Sequence, residues 1–178
     1  LANGFSVSAL VGKREIMRLG GLEHEQERVF LLSLTHGAET HSLVAAMEVI
    51  RIYKREPVIE MMWRAGERLE RGVRKSIGEH SLQDHFKVLG KPCCQVYATL
   101  DGEKNPSQAF RTLFLQETIK GGILAPSLVV SSSHTDTDID MTIEVIDKAL
   151  QVYRKALDEG LDKYLVGRPV KPVFRRYV

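Results

Sequence analysis

The chain has 178 residues, of which 43% are hydrophobic and 27% charged. That suits a soluble protein of one domain, or a domain and a half, with enough apolar side chain for a core. The net charge of +2 gives no long-range field of the kind that draws nucleic acid or acidic membranes. No apolar run reaches the length of a bilayer span, and no charged stretch leads into an apolar one as in a signal peptide. The two cysteines, Cys93 and Cys94, are adjacent in an apolar, strand-like run. They are expected to be reduced, buried and inert, which fits the cytoplasm. Residue 1 is leucine rather than methionine, so the chain reads as processed, trimmed from a tag or cut from something longer.

In chain order, "FSVSALVGK" predicts a short strand entering from the Asn3-Gly4 turn. "REIMRLGG" predicts a short helix stopped by Gly20-Gly21, and "EHEQER" a solvated charged segment. "VFLLSL" is a continuous apolar run and predicts a buried strand. Leu43, Met47 and Ile50 then recur at helical spacing, and that helix should end before Pro57. A second amphipathic helix follows, with Val58, Met62, Ala65, Leu69, Val73 and Ile77 along one face.

The texture changes after Gly78. "FKVLG" and "CCQVYATL" predict two strands; in the second, Cys94, Val96, Ala98 and Leu100 alternate with Gln95, Tyr97 and Thr99. "DGEKNPS" reads as a loop, and "QAFRTLFLQETIK" as a helix closed by Gly121-Gly122. "ILAPSLVV" reads as a third strand, at an edge or bulge because of its proline. A last helix spans "HTDTDIDMTIEVIDKALQVYRKALDEG", capped by Thr135 or Asp136 and striped by Ile143, Ile146, Leu150, Tyr153 and Leu157. The tail has two prolines and no period. The layout is β-α-β-α for about the first third and α+β thereafter, with the long helices around Pro57 joining the two parts.

The densest polar cluster is "THGAETH", Thr35 to His41, between an apolar run and a helix. A metal is poorly served there. His36 and His41 are five positions apart, roughly 140° around a helix, and Glu39 does not repair the spacing. An anion fits better in kind. The first N–H groups of a helix lack internal partners and sit at the positive end of the dipole. Thr35 could add a hydroxyl donor, and Gly37 and Ala38 leave room for backbone to approach. The plain alternative is a helix start with exposed histidines, which the spacing alone favours. Asp136, Asp138 and Asp140 alternate as a calcium loop begins, but the sixth position is Met141 and the twelfth Asp147, so they read as helix-start carboxylates. His80 and His85 read as solvated connector residues, and "RPVKPVFRR" as a basic surface tail.

Two longer stretches carry a family resemblance. "ANGFSVSALVGKREIM" resembles the segment after the cofactor lysine in class III, pyridoxal-phosphate (PLP)-dependent aminotransferases, closest to the glutamate-1-semialdehyde 2,1-aminomutase group. "QETIKGGILAPS" followed by "SHTDTDIDMTIEVIDKAL" resembles the C-terminal end of the same proteins. The resemblance implies an aspartate aminotransferase-like, fold type I chain of α/β class. Residues 1–56 would be the end of the large PLP-binding domain with its long connecting helix. Residues 57–178 would be a small α+β domain with a three- to four-stranded sheet. It implies PLP as cofactor and a homodimer, acting on a small amino acid or keto substrate. Thr35, with His36 and Gly37 shaping its loop, would bind the cofactor phosphate in the partner's site.

The resemblance also implies what the chain lacks. The Schiff-base lysine should lie about two positions before Leu1, and Lys13 matches another basic residue. The chain alone is therefore expected to be inactive. Only "LVVSSS" separates "APS" from "HT", where the aminomutase has a longer segment, so a related transaminase stays open. Two other classes remain: a non-catalytic α+β binding or oligomerisation module derived from such an enzyme, and a metal hydrolase using His36, His41 and Glu39.

Overall fold

The structure, a computed structural model, describes residues 3–21, 25–27, 37 and 39–171. The chain divides into two units, Leu1–Val58 and Ile59–Val178. In the first, a short helix α1 (Arg14–Met17) runs into a 3-10 turn (Arg18–Gly20), and α2 spans Thr40–Arg55. Helix α2 stops at Glu56, whose extended backbone leads into Pro57, as the restriction on residues before proline requires. The expected strand over 5–13 does not form: residues 7–13 carry no regular structure, and Leu10 and Val11 are exposed. The other strand expected in this unit, "VFLLSL", lies outside the described residues.

The second unit holds the core. Helix α3 (Val58–Glu79) is followed by β1 (Phe86–Lys91), β2 (Cys94–Thr99), α4 (Gln108–Lys120), β3 (Leu128–Val129) and α5 (Asp136–Glu159). The strands form one antiparallel sheet in the order β1-β2-β3. Val88 faces Tyr97 and Phe86 faces Thr99 across β1 and β2, and Gln95 pairs with Leu128 of β3. That face is buried against Leu69, Val73 and Ile77 of α3, Phe110, Leu113 and Phe114 of α4, and Ile139, Ile146, Leu150 and Tyr153 of α5. The other face carries Leu89, Val96 and Val129, all exposed. The unit is thus two layers, with α3, α4 and α5 on one side of a short sheet.

Three sequence expectations change here. Cys94 is exposed and Cys93 half-buried, not buried and inert. The alternation in β2 is real, but the core takes its Gln95, Tyr97 and Thr99 face, because those residues share a face with Phe86 and Val88. His80 and His85 are not freely solvated. His80 Nε2 lies 3.0 Å from Asp147 Oδ1, and His85 Nδ1 donates to the Asp101 carbonyl at 2.8 Å.

Aromatic packing centres the core. Phe86 and Phe114 have ring centroids 4.8 Å apart, as do Tyr97 and Phe114, and Phe110 and Tyr153 lie 4.6 Å apart. The hydroxyls are satisfied: Tyr97 donates to the Ala125 carbonyl at 2.7 Å, and Tyr153 donates to the Leu100 carbonyl at 2.6 Å and accepts from the Leu100 N–H at 3.0 Å. Close approach is permitted by glycine. A Cβ on Gly66 of α3 would sit 1.9 Å from the Pro92 carbonyl oxygen in the β1–β2 turn, and one on Gly72 would sit 2.5 Å from Ile143 of α5. At the start of α5, Thr135 and Asp138 form a capping box. Arg68 of α3 forks onto Asp140 at 2.9 and 2.7 Å and reaches Asp136 at 3.0 Å.

Gly66→Ala should destabilise the chain by roughly 1–3 kcal/mol, because backbone atoms must move, and urea unfolding reads this directly. Tyr153→Phe should cost about 1–2 kcal/mol by leaving the Leu100 carbonyl without its hydroxyl donor. Burial pushes the Tyr97 phenol up to about 12 from its ordinary value of 10, although the Arg111 guanidinium over its ring opposes the shift. The unfolded phenol therefore ionises first, so the stabilisation is full below pH 10 and falls as pH rises towards 12. Tyr97→Phe should flatten this alkaline loss, measured as urea midpoints against pH.

Candidate functional site

The candidate site is the start of α2. Helix α2 begins at Thr40, one residue after Glu39, whose extended backbone makes it the N-cap. The Glu39 carbonyl accepts from the Leu43 N–H at 3.0 Å, closing the first turn. The Glu39 side chain makes no capping hydrogen bond, and no acidic residue stands in the first turn. The starts of α4 and α5 differ. Ser107 caps α4 by accepting from the Phe110 N–H, and Thr135 and Asp138 close the start of α5. The open backbone donors of a first turn, and the positive end of the helix dipole, therefore stand at α2 without a carboxylate or hydroxyl cap from its N-cap residue.

Around this turn, His41 Nε2 lies 3.4 Å from Glu39 Oε2, and the Phe5 ring meets the His41 ring edge-on with centroids 5.7 Å apart. Ser42 is buried, and its Oγ has no hydrogen-bond partner among the described residues. A buried hydroxyl without a partner is costly, so it marks a place where a polar partner would be gained. Ser42 escaped the sequence reading. Its signal was a hydroxyl at the third position of a helix whose flanking residues were already under scrutiny. Glu39 works against an anion by placing a carboxylate beside the turn; His41 is the base that stands against it.

Of the residues expected to bind phosphate, Gly37 is described, in an exposed turn. Thr35 and His36 lie outside the described residues. The metal reading drew on His36, His41 and Glu39, of which the structure describes the last two. Among the described residues, no group of three or more His, Cys, Asp or Glu is placed to hold a metal ion. Asp136, Asp138 and Asp140 do what helix-start carboxylates do. The Thr135 hydroxyl and N–H hold the Asp138 carboxyl below its usual range, and Asp136 and Asp140 pair with Arg68.

The fold is an α/β arrangement shared with part of a PLP-dependent enzyme. The FumI protein of a Sphingopyxis species, solved in its PLP internal aldimine form, matches with a TM-score of 0.60 at 22% identity, over 74% of this chain and 31% of that one. Among curated proteins, the chain is 26% identical over 160 residues to a 3-aminobutyryl-CoA aminotransferase of Cloacimonas acidaminovorans, covering 88% of this chain and 37% of that protein. It is 26% identical over 165 residues to a glutamate-1-semialdehyde 2,1-aminomutase of Bacillus pumilus, and 25% identical over 161 residues to that of Akkermansia muciniphila. These matches span 87% and 82% of this chain, and 37% and 36% of the aminomutases. No family model matches. The resemblance read from the end motifs therefore stands: the chain is similar to PLP-dependent aminotransferases and aminomutases. It spans little more than a third of the curated relatives it matches.

A carboxylate removed from the α2 start should favour an anion. Glu39→Gln is expected to raise the affinity of the chain for inorganic phosphate by a few-fold at low salt, a gain of under about 1 kcal/mol that added salt should erase. Phosphate titration followed by chemical-shift change at the Thr40, His41 and Ser42 amides measures it.

Proposed function

We propose that this chain is the C-terminal part of a PLP-dependent aminotransferase or aminomutase, and that the start of α2 with the loop before it holds the cofactor phosphate. The observation that carries this reading is the α2 start, which has no side-chain cap from Glu39, in a chain whose curated relatives are aminotransferases and aminomutases. The buried Ser42 hydroxyl beside it, without a partner among the described residues, adds support.

In this reading Thr35 donates its hydroxyl to the phosphate, His36 and Gly37 shape the loop, and the first-turn N–H groups of α2 add backbone donors. PLP, when bound, supplies the electron sink that lets an amino group be moved. The chain's own part is to fix the phosphate end of the cofactor, so that the reacting end is held in one orientation. The Schiff-base lysine lies about two positions before Leu1 in the complete protein, and the chain alone is inactive. Residues 1–56 complete the large domain, and residues 57–178 form the small domain that lies over the substrate. Whether the complete enzyme is a mutase or a transaminase turns on its substrate, a small amino acid or keto compound.

The complete protein works as a cytoplasmic homodimer in this reading. Supporting it, Leu43, Val44, Met47, Ile50 and Tyr53 of α2 are exposed, a run of apolar side chains too large for an ordinary solvated helix face. No helix among the described residues is long and apolar enough to cross a membrane.

The first test reads the native gene upstream of the Leu1 codon. A lysine codon about two positions before Leu1, preceded by large-domain sequence, is expected; a start codon or unrelated sequence there sinks the proposal. In the complete protein, Thr35→Ala should weaken PLP binding about tenfold while leaving the affinity for phosphate-free pyridoxal nearly unchanged, as loss of a charge-assisted hydrogen bond predicts. Equilibrium dialysis of both compounds separates the two. Met47→Glu should shift the complete protein from dimer towards monomer in analytical ultracentrifugation.

A further inference from the structure

We propose that Cys93 and Cys94 form a two-thiol chelating site for a soft, thiophilic centre, such as a trivalent arsenical or a soft metal ion, at the tip of the β1–β2 hairpin. Both cysteines are free, and they are the only two in the sequence. Lys91 pairs with Cys94 across the hairpin, so Pro92 and Cys93 make the two-residue turn and Cys94 is the first residue of β2. Cys94 is exposed and Cys93 half-buried, side by side at the tip of one hairpin.

Adjacent thiols can either join each other or share a third atom. The hairpin opposes the first course. Consecutive Cα atoms across a trans peptide lie about 3.8 Å apart, whereas disulfide-bonded residues are usually separated by about 4.4 Å or more. Closing an eight-membered ring would therefore require the Cys93–Cys94 backbone to twist. That backbone is held on two sides. Cys94 is laddered to Lys91 on one strand and to Val129 on the other. The turn is also seated on α3 at Gly66, where an added Cβ would meet the Pro92 carbonyl oxygen at 1.9 Å and the Cys93 nitrogen at 3.0 Å. A bridging atom spans the two sulfurs by two bonds and asks for less rearrangement. Thiolate pairs select soft centres over hard ones. Among the described residues no third or fourth His, Cys, Asp or Glu completes a closed cage, which sets this pair apart from a tetrahedral structural zinc site.

The probe is phenylarsine oxide, and its reaction balances without an oxidant. Two S–H bonds break, two As–S bonds form, and the arsenic-bound oxygen leaves with both protons as water. The reduced 178-residue chain should take up one arsenical per molecule by intact mass. Both titratable thiols should be lost together. The adduct should survive a large excess of a monothiol and be released by a 1,2-dithiol. Cys93→Ser and Cys94→Ser, each checked for unchanged circular dichroism, keep one thiol and lose the chelate, so their adducts should be at least about tenfold weaker and stripped by the monothiol. Two arsenicals per wild-type chain would overturn the proposal. So would a wild-type adduct stripped as readily as those of the single-serine variants.

Discussion

The second unit depends on how Tyr153 is buried. Its ring is fully enclosed, within 4.6 Å of the Phe110 ring and 6.1 Å of the Phe86 ring. Its hydroxyl donates to the Leu100 carbonyl and accepts from the Leu100 N–H, at the point where β2 ends and the 101–107 loop begins. One residue of α5 thereby joins the aromatic centre to the backbone of the sheet. Burial holds the phenol of Tyr153 above its ordinary value, so it stays a neutral hydrogen-bonding group throughout the physiological range. A phenylalanine would fill the same space but take the hydroxyl donor from the Leu100 carbonyl, while the Leu100 N–H keeps the His85 carbonyl as acceptor.

The starts of α5 and α2 are built differently. The start of α5 satisfies its own donors through Thr135 and Asp138, and Arg68 balances the neighbouring aspartates. Its charge is spent on structure. At α2, the Glu39 side chain makes no capping hydrogen bond, its carboxylate stands beside His41, and the buried Ser42 hydroxyl has no partner among the described residues. A helix start built for stability alone would place a serine, threonine or aspartate at the N-cap, as α4 and α5 do. Helix α2 departs from that pattern, as does α3, which follows Pro57.

The hairpin shows how one tight contact can shape chemistry elsewhere. Gly66 has no side chain, so the Pro92–Cys93 turn lies directly on α3. The same contact restrains the backbone between the two cysteines. Neighbouring residues in a strand point to opposite faces, so Cys94 shares the solvent face with Val96, while Gln95 turns to the core and donates to Glu70 at 3.0 Å.

The sequence by itself determined the helices and their ends. The stripe of Leu69, Val73 and Ile77, the stop before Pro57, the Gly121-Gly122 terminus and a cap at Thr135 or Asp136 are local, and periodicity or backbone chemistry states them within a few residues. The two end motifs likewise sufficed for the resemblance to aminotransferases. Only the tertiary structure decided which face of β2 is buried, because "CCQVYATL" offers apolar side chains on both faces and the choice falls to the register with Phe86 and Val88. It alone placed His80 against Asp147, 67 residues away, and withheld a strand from residues 7–13. Spacing along a chain records which groups are neighbours in a helix or strand. It does not record which distant element will supply the other half of a hydrogen bond, and that is settled only when the layers pack.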